Sequence, residues 1–301
     1  AVELVADTGG GFATQAMVAI SVTGDACALG CDHCQAKVLA GMVSVKAGED
    51  LFDLARRLHD QGSRGLLVSG GSTRTGGVPL IPHLRLVPRI REELGMKIIV
   101  HSGVVSPALA EGLAASGVDG VMLDIIGADE TIREVYHLDL TVADFERSLA
   151  LLAGHGLRII PHIVLGLHYG RFLGEHRALE MIARYPVSTL VLVVLVPLVG
   201  TPMAHLPPPP IDDVVDFFGA ARLAMATTKV NLGCARPLGE MKDILDRAAI
   251  DHGLNGIAYP ADGAIEYARS RGLDPRLYEY CCSLTWGGER EAGYAEVRLD
   301  A

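Results

Sequence analysis

Eight short apolar runs recur along the 301 residues, and helical patterns alternate with them. The runs are continuous rather than alternating, which is typical of parallel strands that are buried on both faces. Such a chain folds as an α/β domain around a parallel sheet. We predict strands at about residues 17–23, 65–70, 97–102, 118–126, 157–165, 189–196, 230–234 and 254–259.

The segments between these runs carry the apolar spacing of amphipathic helices. One of them begins at Thr141, and the acidic Asp144 three residues later completes a capping-box pattern. We predict helices at about residues 50–59, 107–115, 141–152, 175–183, 211–226, 238–250 and 264–271. Eight strands with helices between them predict a (β/α)8 TIM-type barrel, which typically needs about 250 residues. An open doubly wound sheet is the alternative.

The chain divides into two parts in this interpretation. Residues 1–273 form the barrel, and residues 274–301 form a C-terminal extension over the barrel top. The extension carries two adjacent cysteines, Cys281 and Cys282, so we expect it to take part in the site.

Composition and charge exclude several classes of protein. The 26 basic and 36 acidic residues give a net charge of −10, which disfavours a general nucleic-acid binder. No signal-peptide pattern stands at the start, and the longest apolar run, 190–199, is far shorter than the roughly 20 residues that cross a bilayer. We expect a cytoplasmic protein without membrane contacts, in which cysteines bind metal or perform redox chemistry rather than form disulfides.

The six cysteines form two groups of three, and the first group lies in the loop after the first predicted strand. Cys27, Cys31 and Cys34 have C-x3-C-x2-C spacing. Three thiolates on a short loop can hold three irons of a [4Fe–4S] cluster and leave the fourth iron free to bind another molecule. The alternatives are unbound thiols and a zinc site with His33 as fourth ligand. The adjacency of His33 and Cys34 strains the geometry of a zinc site.

This triplet resembles the signature of the radical S-adenosylmethionine (radical SAM) superfamily, and further motifs follow in the family's order. Residues 69–72 (SGGS) are similar to the Gly-Gly-Glu-like motif that binds the methionine amino group, with Ser72 in place of the acid. Residues 163–166 (IVLG) resemble the adenine-contacting stretch. Residues 197–202 (PLVGTP) look like the P-x-x-G-T-P element of the biotin synthase branch.

The resemblance implies a cofactor site at the barrel top, where barrel enzymes place their active sites. Asp124 stands where a polar residue commonly meets the ribose, and His33 where an aromatic residue is usual. The implied SAM-binding residues are His33, Gly70, Gly71, Ser72, His101, Asp124, Gly166 and Val196. The implied chemistry is reductive cleavage of SAM to a 5′-deoxyadenosyl radical that abstracts hydrogen from an unactivated carbon. No catalytic side chain is implied beyond the cluster ligands.

The second cysteine group can supply a second [4Fe–4S] cluster. Cys234 ends the seventh predicted strand, and Cys281 and Cys282 meet it if the extension folds back. Ser283 or an external molecule is then the fourth ligand. In another arrangement, one of the adjacent cysteines binds the cluster and the other carries sulfur. The alternative is that these are ordinary buried cysteines.

An auxiliary cluster beside a radical centre suggests sulfur insertion, which the resemblance associates with biotin synthase and lipoyl synthase. Residues 21–29, 233–237 and 255–260 look most like the two-protein lipoyl synthases of archaea and some bacteria. That resemblance implies an octanoyl chain linked to a lysine of a carrier or dehydrogenase-subunit protein as substrate. It also implies two further partners, a second radical SAM lipoyl synthase protein and an electron donor such as ferredoxin. The candidate substrate-binding residues are Arg236, His162 and Tyr259.

Two other functions stay open from the sequence. One is a radical SAM mutase, lyase or cofactor-maturation enzyme that inserts no sulfur, for which an auxiliary cluster is dispensable. The other is a non-catalytic iron–sulfur carrier, which also suits three-cysteine ligation.

Overall fold

The computed structural model describes residues 2–5, 16–46, 48–278, 281–284 and 296–297. All eight predicted strands are present, and four short strands are added to them. The strands are β1 Val2–Val5, β2 Met17–Ser21, β3 Val43–Ser44, β4 Gly65–Ser69, β5 Lys97–His101, β6 Gly120–Asp124, β7 Ile159–Leu165, β8 Thr189–Val194, β9 Lys229–Leu232, β10 Gly256–Ala258, β11 Pro275–Tyr278 and β12 Glu296–Val297.

The predicted helices are also present, and local capping sets where they begin. The Asp50 side chain accepts the Asp53 N–H at the start of α1, and Thr141 and Asp144 form the predicted capping box of α6. Three short helices, α2, α3 and α5, were not predicted. The helices are α1 Leu51–Asp60, α2 Ile81–Leu84, α3 Val87–Leu94, α4 Pro107–Ser116, α5 Asp129–Glu134, α6 Val142–Gly154, α7 Glu175–Ile182, α8 Ile211–Ala224, α9 Glu240–Asp251 and α10 Ala264–Ser270. Within the described residues, no helix is long and apolar enough to cross a membrane.

The sheet confirms the predicted parallel α/β architecture as a partial barrel. Its strand order is β12-β11-β1-β10-β9-β8-β7-β6-β5-β4-β2-β3. The strands from β1 to β11 pair in parallel, and β12 is antiparallel to β11. Among the described residues, β10 pairs with β1 rather than with β2, because the N-terminal strand and the C-terminal extension insert two further strands there. The extension therefore contributes a strand to the wall.

Alternation along the strands separates two apolar cores. Residues such as Leu66 and Ile98 point towards the surrounding helices and belong to the larger core. Their neighbours point inwards, where Ile99 and Met122 pack with Tyr278 and Leu284 of the extension. Met17 of β2 packs on the same inner cluster, so the sheet curves until its two ends share one interior.

Candidate functional site

The inward positions become polar at the C-terminal ends of the central strands. Two residues beyond the apolar Leu67, Ile99 and Met122, the same face carries Ser69, His101 and Asp124. Asp124 lies directly beside His162 in the register of β6 and β7. The alternation of a strand thus places these side chains on one rim of the barrel.

A cavity of about 330 Å³ lies at this rim, against the first cysteine loop. Eight of the predicted site residues line it, namely Cys27, His33, Cys34, Gly70, Gly71, Ser72, His101 and Asp124. Apolar residues that sequence reasoning did not single out complete the wall; they include Leu29 of the cysteine loop and Val104, Tyr136 and Leu138 of later loops. The cavity therefore combines a few polar groups with a mostly apolar lining, as is typical of small-molecule sites.

The cysteine loop is held by backbone contacts to two neighbouring loops. The Ala28 N–H donates to the Ser72 carbonyl at 2.8 Å, and the Asp32 N–H donates to the Val135 carbonyl at 2.9 Å. Gly30 adopts a positive φ of 59° between the first two cysteines, which a residue with a side chain rarely does. These contacts fix where the three thiols lie.

The cysteines suit an iron–sulfur cluster better than a single metal ion. Among the described residues, no three His, Cys, Asp or Glu side chains converge closely enough to hold one ion. A cube-shaped cluster needs no such convergence, since each thiolate binds its own iron. The zinc alternative therefore finds no support in the geometry. The neighbouring Cys31 thiol and the His33 ring lower the pKa of the Cys34 thiol, which favours its metal-binding thiolate form.

His33 contributes an unpartnered polar atom to the cavity wall. Its Nδ1 is buried and has no hydrogen-bond partner among the described residues. Its ring packs on Tyr136 with 5.1 Å between centroids. A buried nitrogen without a partner is costly unless a bound molecule supplies one, so this wall fits a polar ligand such as SAM.

Gly71 shows how closely the second predicted motif packs against the cysteine loop. Its N–H donates to the Thr23 hydroxyl at 2.7 Å. A Cβ atom here would lie 2.0 Å from the Ala26 carbonyl oxygen and 2.7 Å from Cys27 Cα. Only glycine fits this position without moving the backbone that carries the first cysteine.

The change Gly71→Ala is therefore expected to displace the cysteine loop and remove most of the reconstituted iron. Overpacking of this kind costs about 1–3 kcal/mol. Iron and sulfide per chain after anaerobic reconstitution measure the effect. The matched control is Gly154→Ala, where a Cβ would have no atom within 4 Å. Equal iron in both variants would contradict the assignment.

A group of three titratable side chains stands next to the cavity. His101 Nε2 lies 3.7 Å from Asp124 Oδ1, and the rings of His101 and His162 meet edge to face at 5.8 Å. Burial alone would raise the pKa of Asp124, but the close approach of His101 and the charge of the nearby histidines outweigh it and hold the pKa at about 2. Burial lowers the pKa of His162 to about 4, so its imidazole is neutral near pH 7. Its Nδ1 donates to the Ile160 carbonyl at 3.1 Å.

The other predicted SAM-binding residues do not line this cavity. Gly166 lies just beyond the end of β7 with a φ of 75°, and its N–H donates to the buried Glu175 carboxylate at 3.0 Å. Val196 is half-buried after β8. Sequence reasoning missed Glu175, which holds the Gly166 loop. The sequence feature that could have identified Glu175 is its position as an acidic residue at the start of a predicted helix.

The extension places Cys281 near Cys234, so two cysteines of the second group are neighbours. Residues 281–284 enter the barrel interior, where Leu284 and Cys281 pack on the inner apolar cluster. Cys234 is an exposed residue beyond the end of β9; the atoms packed around its thiol raise the pKa of that thiol, and the neighbouring Cys281 thiol raises it further. The Ser283 hydroxyl is fully buried and has no partner among the described residues. Only the backbone of Cys282 is described, so its predicted ligand role lies outside the described side chains.

Arg236 has contacts that differ from its predicted role in binding substrate. It is 2% exposed, and its Nε lies 2.7 Å from Asp246 Oδ1. Its other nitrogens donate to the Gly233 carbonyl at 2.7 Å and the Tyr259 carbonyl at 3.0 Å. The guanidinium is thus engaged by protein groups and ties the loop after β9 to α9. Tyr259 is 44% exposed at the end of β10.

Comparison with known proteins identifies relatives of this chain. Biotin synthase from Synechococcus sp. (strain JA-3-3Ab) is 30% identical over 155 residues, which are 49% of this chain and 48% of that protein. Biotin synthase from Halorhodospira halophila (strain DSM 244 / SL1) is 24% identical over 257 residues, covering 81% and 75%. The chain spans about half the length of three of the curated relatives it matches.

Solved structures share the fold, and a family model identifies the family. The X-ray structure of the FeFe-hydrogenase maturase HydG from Carboxydothermus hydrogenoformans gives a TM-score of 0.61 at 16% identity, covering 91% of this chain and 67% of that chain. The model of the radical SAM superfamily matches residues 21–183, which include the cysteine loop and the strands from β3 to β7. Because this match spans more than half of the chain and the whole cavity wall, the chain belongs to the radical SAM superfamily.

Proposed function

We propose that this radical SAM enzyme inserts sulfur into an unactivated carbon, as a lipoyl synthase component that acts on a protein-bound octanoyl chain. The observation that carries the proposal is that the extension, whose Cys281 packs on the inner apolar cluster, places this thiol near Cys234. Two thiols from distant parts of the chain lie near each other, with Cys281 packed on the inner cluster and Cys234 exposed beyond the end of β9. This arrangement suits a sulfur-donating auxiliary cluster, with Ser283 as a candidate fourth ligand.

The residues of the chain support such chemistry by holding and shielding the reactants. When bound, the cluster and SAM supply one-electron reductive chemistry that activates a C–H bond. Cys27, Cys31 and Cys34 would hold the cluster, and Gly70 and Gly71 line the cavity that would take SAM. The apolar inner cluster excludes water and suits an alkyl chain. His162, neutral and buried, offers a polar contact to the amide that links the acyl chain to its carrier.

Curated relatives named biotin synthase support a sulfur-inserting chemistry, and the cysteine pattern favours the lipoyl over the biotin reaction. The inner ends of β5, β6 and β7 carry His101, Asp124 and His162 instead of cysteines. The proposed partners are the octanoylated carrier or dehydrogenase-subunit protein, a second radical SAM protein and an electron donor such as ferredoxin.

Cys234→Ala and Cys281→Ala are expected to abolish sulfur insertion while SAM cleavage continues. Each variant loses a ligand of the auxiliary cluster but keeps the first cysteine loop intact. Iron per chain should fall from about eight to about four, the contents of two clusters and of one. The assay follows 5′-deoxyadenosine and the mass of an octanoyl-lysyl peptide, with the partner protein present.

The control is Ser270→Ala on the outer helix α10, which should keep both clusters and both products. If the cysteine variants still add sulfur to the peptide, the proposed function is wrong. If the native chain with its partner cleaves SAM and never adds sulfur, the result supports the mutase or lyase alternative instead of sulfur insertion. If reduced native protein forms no 5′-deoxyadenosine at all, the carrier alternative stands.

A further inference from the structure

Asp32, the residue after Cys31, receives hydrogen bonds from two distant loops. His137 Nε2 lies 2.9 Å from its Oδ1, and the Tyr169 hydroxyl donates to its Oδ2 at 2.9 Å. His137 follows α5, and Tyr169 follows β7, so three separate loops meet at one carboxylate. Both carboxylate oxygens are engaged, one by each loop.

Both donors reach Asp32 from an unfavourable backbone conformation. His137 has a φ of 57° and Tyr169 a φ of 53°, in the left-handed region that residues with side chains rarely adopt. Such conformations are unfavourable and persist only where surrounding contacts fix them. Their convergence on the same side chain indicates that the Asp32 contacts supply this fixation.

The loop of His137 also carries a wall of the cavity. The Asp32 N–H bonds the Val135 carbonyl, and the Cys31 thiol faces the Tyr136 carbonyl at 3.9 Å. Tyr136 in turn packs on His33. The loop of Tyr169 begins at Gly166. One carboxylate therefore joins the cysteine loop to the wall beside His33 and to the loop after β7.

We propose that Asp32 is a positioning residue that clamps the cysteine loop to the loops of His137 and Tyr169 and so retains the iron–sulfur cluster. Asp32 touches no cofactor atom in this role and acts through the placement of Cys31 and Cys34. The inference uses the family membership of the chain and is independent of sulfur insertion. Its failure would leave the proposed function standing, and the reverse also holds.

The test measures iron release from the reconstituted holoenzyme to a chelator under anaerobic conditions. Supporting contacts to metal ligands are typically worth about 10–100-fold in metal affinity, so Asp32→Ala should accelerate release by about that factor. Tyr169→Phe removes one hydroxyl and should accelerate release several-fold. In the double variant, Tyr169→Phe should add nothing to Asp32→Ala, because the hydroxyl acts through the carboxylate.

A conservative variant separates positioning from general loss of stability. In Asp32→Asn the amide oxygen accepts from Tyr169 and the amide N–H donates to the other tautomer of His137, so release should return close to the native rate. The EPR spectrum of the reduced cluster with SAM should change in Asp32→Ala and stay native in Asp32→Asn. The matched control is Tyr267→Phe, which loses a 2.7 Å bond to Asp251 on the outer helices and should release iron at the native rate.

Three results would overturn the clamp. They are native release from Tyr169→Phe, additive effects in the double variant, and equal behaviour of the alanine and asparagine variants. Thermal unfolding of the same proteins is recorded in parallel. A variant that unfolds at a lower temperature but still releases iron at the native rate would show that cluster retention does not depend on the overall stability of the protein.

Discussion

Alanine at Cys27, Cys31 or Cys34 should abolish 5′-deoxyadenosine formation from SAM under reducing conditions. The three thiolates each bind one iron, so losing one leaves the cube with two protein ligands and exposes it to dissociation. The loss of 5′-deoxyadenosine formation should be larger than the effect of about 10–100-fold that is typical when a residue supporting a metal ligand is replaced. Product chromatography of anaerobic reactions, with iron analysis of the same samples, measures both consequences.

The second cysteine group provides the comparison for this experiment. Cys234→Ala removes a thiol of the same kind from the same barrel, yet it should leave SAM cleavage near the native rate. A triplet variant that retains both iron and product would contradict the assignment of the ligands. Loss of product in Cys234→Ala as well would mean that the two sites cannot be separated in this way.

The change Asp246→Asn should lower the free energy of unfolding by about 3–5 kcal/mol, which is the typical cost of removing one partner of a buried ion pair. Asp246 is fully buried, and its carboxylate lies against the Arg236 guanidinium. It also accepts the Ala261 N–H at 2.6 Å and lies 3.5 Å from Lys242 Nζ. Asparagine fits the same volume but leaves the Arg236 charge buried and uncompensated.

Reversible urea unfolding followed by circular dichroism measures this change. The control is Asp243→Asn, one turn earlier on α9, where the carboxylate pairs with Arg247 at the surface. Exposed pairs of this kind are worth about 0–1 kcal/mol. Arg236→Met combined with Asp246→Leu removes both charges and should recover much of the loss. Equal destabilisation by Asp243→Asn and Asp246→Asn would show that burial of the pair does not matter.

Local patterns explain why most of the fold was predictable. Apolar runs such as 189–196 need no long-range information, and the capping box at Thr141 is contained within four residues. The strands β1 and β11 were missed because each is four residues long and acquires its partners only through tertiary pairing. The sheet order at the barrel edge therefore could not be predicted from the sequence.

The site was predictable where its chemistry is local. The cysteine spacing and the two glycines at the end of β4 lie in short segments, and the structure brings them to one cavity. Arg236 was placed in the substrate site because it is next to Cys234, whereas its partner Asp246 is on the following helix. The contacts of Asp32 join residues more than 100 positions apart, so no pattern along the chain indicates them.

The pairing of β1 with β10 and β11 has a consequence for the order of biosynthesis. A chain emerging from the ribosome releases β1 long before its partners β10 and β11. The strand β1 must therefore wait for these partners until the intervening barrel has been synthesised. Until then the wall beside β10 is a gap, and the interior destined for Leu284 is still accessible from the side. Closing the barrel edge and filling its interior are thus a single late event of folding.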